Sequence, residues 1–274
     1  MTTIPNVLTI AGSDSSGGAG IQADIKTFTS LGVYSTSVIT NITAQNTLGI
    51  SEIYELPCTL VESQLTSVFE DIKIDAVKIG MLNSKEIIAT VIASLKKYHP
   101  QTIVIDPVMV STSGRDLLDP MAIALLSEEL LPLSTIITPN IPEAVKLLAF
   151  NSALTTNNCD EMANYLSDLY STTVLLKGGH SKGETCIDTL IQRTNNSEKN
   201  AAVHFRNKKL DTTNTHGTGC TLSSAVTAFL SLGHCMKTSV RYANAYVNNA
   251  IKYADALNVG LGHGPVNHLH QFIK

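Results

Sequence analysis

Short apolar, β-branched runs alternate along the chain with longer stretches whose apolar positions recur at helical spacing. Residues 7–10 and 37–42 read as strands around a helical stretch from Gly20 to Leu31. Further strands are predicted over 76–80, 102–106, 135–138 and 173–177. The helical patterns between them end near Asp71 or span 84–98, 121–131 and 160–169. This β, α, β, α order predicts an α/β fold with a largely parallel sheet and helices on both faces. The part from Ile187 to Leu210 is less regular, more polar and antiparallel in character, and two helices close the pattern. The polar tract 194–200 reads as a hairpin or loop tip and not a linker. No internal repeat is present, so a single domain over 1–274 is expected.

Composition narrows the class. With 43% hydrophobic and 15% charged residues, the chain has material for a large core and too little charge for a disordered tail. A formal net charge of −4 and the lack of a long basic run argue against a nucleic-acid surface. No leader-like or membrane-spanning apolar stretch is seen, so no membrane partner and a cytoplasmic location are expected. The 5 cysteines include no C-x-x-C pair, which points to reduced thiols and not to a disulfide framework or zinc knuckle.

The most informative chemistry lies in Asn214-Thr215-His216-Gly217-Thr218-Gly219-Cys220-Thr221, a glycine-punctuated turn that opens an apolar helical segment. Gly217 and Gly219 let a ligand approach the backbone, and the first amides of a helix are unpaired donors at its positive end. The turn therefore suits an anion, with Cys220 beside it. A lone GTG is more often an ordinary loop. A second small-residue loop, residues 11–20, follows the first strand and opens another helix, and the pair of loops points to phosphate chemistry. Gly18-Ala19-Gly20-Ile21-Gln22-Ala23 matches the G-x-G-x-x-A dinucleotide pattern, but no carboxylate between Val38 and Thr47 is there to bind a ribose. No Walker phosphate loop is present.

Other candidates sit at predicted strand ends, where functional loops of such sheets gather. Asp106 and Glu143 form a carboxylate pair sufficient for Mg²⁺, which takes one or two protein carboxylates plus waters and phosphate oxygens. Glu143 reads equally well as a helix-start residue after Asn140. Lys177, before Gly178 and Gly179, either snorkels to solvent or meets a phosphate. Gln45 offers a paired donor and acceptor, the arrangement that reads an aminopyrimidine edge, although alone it reads as a turn residue. His263, His268 and His270 lack a metal-binding partner and read as structural or surface residues.

Eight motifs carry a wider resemblance: LTIAGSDSSGGAGIQADIKTF from Leu8, VITNITAQNTLGI from Val38, VKIGML from Val77, IDPVM from Ile105, ITPNIPEA from Ile137, LLKGGH from Leu175, NTHGTGCTLSSA from Asn214 and GHGPVNHLH from Gly262. In this order they resemble the ribokinase superfamily and, within it, the hydroxymethylpyrimidine/phosphomethylpyrimidine kinases of thiamine biosynthesis. The resemblance implies a ribokinase-like three-layer α/β sandwich, a homodimer, ATP as co-substrate, Mg²⁺, and an aminopyrimidine alcohol and its monophosphate as substrates. Residue by residue, it implies an anion hole and catalytic position at Gly217, Thr218, Gly219 and Cys220. Gln45 is the implied ring-binding residue, with Gly12, Asp24, Met81 and Val108 nearby. Asn140, Thr215 and Lys177 are the implied ATP and phosphate contacts, and Asp106 and Glu143 the metal side.

Most ribokinase relatives carry aspartate where this chain has Cys220, and cysteine marks the pyrimidine kinase branch. The helix start lowers its pKa and a nearby phosphate raises it, so the protonation state stays open at this point. Two rival readings stand: a pyridoxal kinase of the same branch, against which Gln45-Asn46-Thr47 speaks, and a silent nucleotide or pyrimidine sensor, which would have no need of Asp106, Glu143, Lys177 and Cys220. The loop 111–116 is expected to close over substrate, with Arg115 near phosphate.

Overall fold

The computed structural model describes residues 3–109, 118–151, 156, 158–179, 183–193 and 201–272; the expected lid loop 111–116 with Arg115, the polar tract 194–200 and His180 lie outside them. The strands are β1 (Asn6–Asp14), β2 (Tyr34–Asn46), β3 (Gly49–Glu55), β4 (Ala76–Ile79), β5 (Ile103–Ile105), β6 (Ile136–Ile137), β7 (Thr173–Leu176), β8 (Thr185–Ile191) and β9 (Val203–Lys208). They form one sheet in the order β3-β2-β1-β4-β5-β6-β7-β8-β9. The pairs from β2 through β1, β4, β5 and β6 to β7 are parallel, whereas β3, β8 and β9 add antiparallel edges. The chain leaves β1 toward β2 and returns on its other side at β4. A crevice therefore opens beyond the carboxyl ends of these strands.

Alternation along the parallel strands sorts the core into two layers. Leu8, Ile10, Val77, Ile79 and Ile105 face one side, against Val61 and Leu65 of α2 (Cys58–Asp71), Ile88 and Val91 of α3 (Lys85–Tyr98), Leu147 of α5 (Ile141–Phe150) and Leu166 of α6 (Cys159–Tyr170). Val104, Ile136 and Leu175 face the other, against Leu222 and Val226 of α7 (Thr218–Ser231) and Val240 and Tyr246 of α8 (Met236–Lys252). Val7 packs on Phe28 of α1 (Gly20–Ser30) on that second side. Among the described residues, no helix is long and apolar enough to cross a membrane.

Two elements differ from the sequence expectation. Strand β2 runs on to Asn46, and β3 pairs with it through a two-residue turn at Thr47–Leu48. Gln45 thus lies inside a strand. Segment 49–55 has no fully buried face, which is why its pattern carried little signal. The helix expected over 121–131 is α4 (Pro120–Leu125), which widens into a π turn (Leu126–Leu130) and a 3-10 turn (Leu131–Leu133). Pro132 has no N–H for a regular turn, and the ladder changes spacing ahead of it.

Residues 264–268 return to the start of α7. The His216 N–H donates to the Gly264 carbonyl (3.0 Å), the Val266 N–H to the His216 carbonyl (3.2 Å), and His268 Nε2 lies 2.9 Å from Thr221 Oγ1. Burial, with Lys26 and His270 nearby, lowers His268 from 6.5 to about 3. Unfolded, this histidine takes up a proton near pH 6.5; folded, it resists doing so, so its stabilising contribution is present above that pH and lost as the pH falls toward 3. Between pH 7 and pH 5 this group alone should remove about 2 kcal/mol of unfolding free energy. Denaturant melts of wild type and His268→Gln at the two pH values check this, and the variant should show the shallower acid loss.

Candidate active site

The site is assembled from the carboxyl ends of β1, β2, β5, β6 and β7 and the starts of α1, α5 and α7, over residues supplied by β4 and the body of α1. β1 ends at Asp14, which is 2% exposed and organises the loop after it. Its Oδ1 accepts from the Ser16 N–H (2.8 Å) and hydroxyl (2.7 Å), and its Oδ2 from the N–H groups of Gly18 (3.1 Å) and Ala19 (2.8 Å). His216 Nε2 lies 2.8 Å from the same Oδ2. Burial alone would raise this carboxyl, but the bonds from His216, Ser16 and Ala19 hold it well below the usual range.

The two glycine loops touch. Gly217, the N-cap of α7 at φ 81°, rests against the Gly18 carbonyl so closely that a Cβ there would collide with it. The N–H of Gly20, first residue of α1, donates to the Cys220 sulfur. Half-buried Cys220 therefore stands where the starts of two helices converge, and their unpaired amides make that corner attractive to negative charge. Burial pushes its thiol up, Asp24 and Asp106 push the same way, and Lys78 and the Gly20 amide pull against them with less effect. Cys220 rests as a thiol.

Beneath the thiol lies a buried ion pair. Lys78 on β4 and Asp24 on α1 are both 0% exposed, with Nζ 2.9 Å from each carboxylate oxygen. Asp24 also accepts from Thr9 Oγ1 (2.6 Å) and Ser224 Oγ (2.6 Å). Ser224 lies one helical turn after Cys220, on the same side of α7. Burial alone would strip the Lys78 proton, but Asp24, Cys220 and Asp106 raise it above the ordinary lysine range. Asp24 was expected beside the substrate. In the structure its carboxylate is fully enclosed, because Lys78 enters opposite Thr9 in the β1–β4 register and its ammonium needs a counter-charge.

A second charged cluster is built at the ends of β5, β6 and β7. Lys177 Nζ lies 2.6 Å from Asp106 Oδ1 and 4.0 Å from Glu143 Oε2. The other Asp106 oxygen receives the Ser223 hydroxyl at 3.5 Å. Burial alone would lower the Lys177 ammonium, yet Asp106 and Glu143 raise it. Asn140 and Glu143 close a capping box on α5: the Glu143 N–H donates to Asn140 Oδ1 and the Asn140 N–H to Glu143 Oε2, both at 2.8 Å. The helix-start reading of Glu143 is thus realised, and the same carboxylate faces Lys177 and Asp106. Burial first and Asp106 second push its pKa up to about 7 against the pull of Lys177. Gly219 faces this group, 3.4 Å from Lys177 Nζ and 3.6 Å from Asp106 Oδ2 as measured from the place of its missing Cβ.

The remaining expected residues are distributed as follows. Gln45 reaches His216 (3.3 Å) and Thr43 (3.1 Å). Buried Gly12 backs onto Asn41 so tightly that a side chain would collide with its amide oxygen. The Met81 carbonyl accepts from Thr40 Oγ1 (2.9 Å) and the Val108 N–H donates to the Asp106 carbonyl (2.8 Å), which places both at the ends of β4 and β5. Exposed Thr215 accepts through its carbonyl from the Thr218 N–H (3.2 Å) and hydroxyl (2.6 Å), shaping the glycine turn. Sequence reasoning passed over Asp14, His216 and Lys78. Only Lys78 carried a signal, as a lysine inside an otherwise apolar strand.

A glycine turn on a helix start, facing a lysine and two buried carboxylates at the switch point of a parallel sheet, defines a phosphotransferase of the ribokinase-like α/β class. The family model described as phosphomethylpyrimidine kinase matches residues 14–267. The chain is 45% identical over 277 residues to a hydroxymethylpyrimidine/phosphomethylpyrimidine kinase of Rhizobium meliloti, with 100% of each chain covered. A thiamine biosynthesis bifunctional protein of Geobacter sulfurreducens is 45% identical over 96% of this chain, which spans about half (52%) of that relative. The crystal structure of an ADP complex of Bacillus subtilis pyridoxal kinase is similar at a TM-score of 0.86 and 34% identity, covering 99% of this chain and 100% of that one. The chain belongs to the phosphomethylpyrimidine kinase family.

The two glycines of the turn should separate by substitution. Gly217→Ala meets both a positive φ and the Gly18 carbonyl, so it should lower the melting temperature. Gly219→Ala meets only ordinary contacts inside a helix, so it should leave melting unchanged or raise it while crowding the anion space. Its kinase activity should fall by roughly 100-fold, the scale of losing one transition-state donor. Parallel melts and initial rates check the contrast.

Proposed function

We propose that this protein transfers the γ-phosphoryl group of ATP to the hydroxymethyl oxygen of 4-amino-5-hydroxymethyl-2-methylpyrimidine, and then to the monophosphate so formed, giving the diphosphate used in thiamine biosynthesis. The observation that carries the reading is the junction of Gln45 and His216 with the Gly217–Cys220 turn: a ring-reading amide and an anion cradle share one crevice. The family membership supports the same chemistry. The proposal covers a single kinase domain over 1–274, cytoplasmic and homodimeric. The exposed apolar residues Ile42, Leu48 and Tyr54 along the β2–β3 hairpin support a seam between two copies.

Gln45 reads the aminopyrimidine edge, with Gly12, Met81 and Val108 around the ring and Asp24 supporting the floor from below. Cys220 holds the attacking hydroxyl in line. Resting as a thiol, it passes its own proton toward a phosphate oxygen as it takes up the proton of the alcohol. The amides of Gly217, Thr218, Gly219 and Cys220 receive the charge that spreads over the transferring group, shaped by the Thr215 carbonyl behind them. Lys177 meets phosphate oxygens, and Asn140 holds the adjoining helix start. Asp106 and Glu143 fit Mg²⁺: two buried carboxylates share a single ammonium, that of Lys177. Mg²⁺ takes one or two protein carboxylates and fills the rest of its shell with waters and phosphate oxygens, which this pair would allow. Bound there, Mg²⁺ would neutralise phosphate charge.

A pyridoxal kinase activity is the second reading, favoured by the similarity to the Bacillus subtilis pyridoxal kinase. Incubation of purified protein with ATP, Mg²⁺ and either alcohol, followed by phosphorus NMR, tests both. The expected result is mono- and then diphosphate from the pyrimidine, with slower turnover of pyridoxal; ligand binding without ADP release would point to a silent sensor. Cys220→Ala should slow monophosphate formation by roughly 100-fold, a typical loss for a proton-transfer group. It should slow diphosphate formation much less, because a phosphomonoester with a second pKa of about 6 is already mostly ionised. Equal losses in both steps would remove Cys220 from the proton path.

A further inference from the structure

We infer that residues 260–266 form a strap that fixes the far end of β2 against the segment leading into the glycine turn, and that Thr47, which receives the strap, is a positioning residue for phosphoryl transfer. The inference rests on the kinase reading proposed above, with the ring at Gln45 and the phosphate at Gly217–Cys220. It extends that reading from the residues that hold each reactant to what keeps the two halves of the crevice in register.

The need for a tie follows from the sheet. β1 accompanies β2 only as far as Asp14, opposite Thr43. Beyond that point Gln45 and Asn46 pair with Ile50 and Gly49 of β3 alone, and β3 is the edge of the sheet. The tip that carries Gln45 therefore overhangs, and a two-stranded ribbon with no further neighbour is marginal by itself. Ser15 gives it one support, its hydroxyl donating to the Gln45 carbonyl (2.7 Å) and accepting from the Gln45 N–H (2.8 Å).

The strap supplies the second. The Gly262 N–H donates to Thr47 Oγ1 (3.1 Å) and the His263 N–H to the Thr47 carbonyl (2.9 Å). A Cβ on Gly260 would collide with the Thr47 side chain, and one on Gly262 with the Thr47 carbonyl, so strap and turn lie in direct contact. The next residue binds the other side of the crevice. The Gly264 N–H donates to Asn214 Oδ1 (3.0 Å), and its carbonyl accepts from the His216 N–H (3.0 Å). Asn214 is itself anchored, its amide donating to Asp255 Oδ1 (2.6 Å).

The holds on Thr47 and on Asn214 fall on consecutive residues, His263 and Gly264, whose Cα atoms stand about 3.8 Å apart across a rigid peptide. The link has no slack. Thr47 lies just beyond Gln45 in sequence, and Asn214 just ahead of Gly217. Transfer requires the reacting atoms within about 3–3.5 Å and in line, so a tip free to shift by about an ångström would lose alignment while the nucleotide side keeps its own contacts.

The test compares the wild-type chain with Thr47→Val, Thr47→Ser, Gly260→Ala, the double variant Thr47→Val/Gly260→Ala and Leu261→Ser, the last at a strap residue that is 94% exposed. Three quantities are measured: the single-turnover rate of monophosphate formation from 4-amino-5-hydroxymethyl-2-methylpyrimidine, ADP affinity by titration calorimetry, and the thermal melt. Thr47→Val should slow transfer by roughly 10- to 100-fold, with ADP affinity and melt as in wild type. Thr47→Ser keeps the hydroxyl and should restore most of the rate, and Leu261→Ser should match wild type. The double variant should be no slower than the worse single one, because both changes release one contact. Should Gly260→Ala unfold, the two Thr47 variants decide alone. An unchanged rate in Thr47→Val, an equal loss of rate and ADP affinity, or losses that multiply in the double variant overturns the strap while leaving the kinase reading intact. Failure of wild type to phosphorylate the pyrimidine takes down that reading and this inference with it.

Discussion

The backbone of Gly217 lies directly on the Gly18 carbonyl, and the geometry of the site descends from that contact. It brings the starts of α1 and α7 to one corner, so the Gly20 amide reaches the sulfur of Cys220 and His216 reaches Asp14. No residue with a Cβ can stand at position 217 without separating the loops. What looks like flexibility in a run of small residues is a close approach of two chains that larger residues would forbid.

Below this corner the protein tolerates a costly arrangement. A lysine and an aspartate with no exposed surface lose their hydration, and their mutual attraction only roughly offsets that loss; removing one partner of such a pair costs about 3–5 kcal/mol. The pair is tied in further: both carboxylate oxygens meet Lys78, and Thr9 and Ser224 each donate to one of them. A pair so enclosed contributes definition more than stability. It pins α1, α7, β1 and β4 to one another where the thiol is held, and it sets a fixed charge pattern beneath it.

Much of this was legible in the residues. The β, α alternation produced the parallel sheet because its central strands are buried on both faces and read as plain apolar runs. The glycine turn before Cys220, the carboxylates at Asp106 and Glu143 and the lysine at 177 stood out because chemistry-bearing residues interrupt apolar segments at strand ends. What escaped was non-local. Asp14 looked like a loop residue and His216 part of a motif, and only folding shows them 2.8 Å apart. The β3 edge escaped because neither of its faces is fully buried. The protein partners of Asp24, which are Thr9, Lys78 and Ser224, come from three other elements, and its motif alone carries no sign of them.

The brace on the Gly217 turn comes late in the chain. His216 pairs with Asp14 across 202 residues of sequence, and residues 264–266 then clamp the backbone of His216. During synthesis the first loop emerges early and waits until nearly all of this sequence has been made before its partner arrives. The sheet can collapse before then, from β1 outward to β7, but the chemistry cannot be assembled. Half-made chains are therefore catalytically mute, and closure of a loop of 202 residues is the event that arms the site.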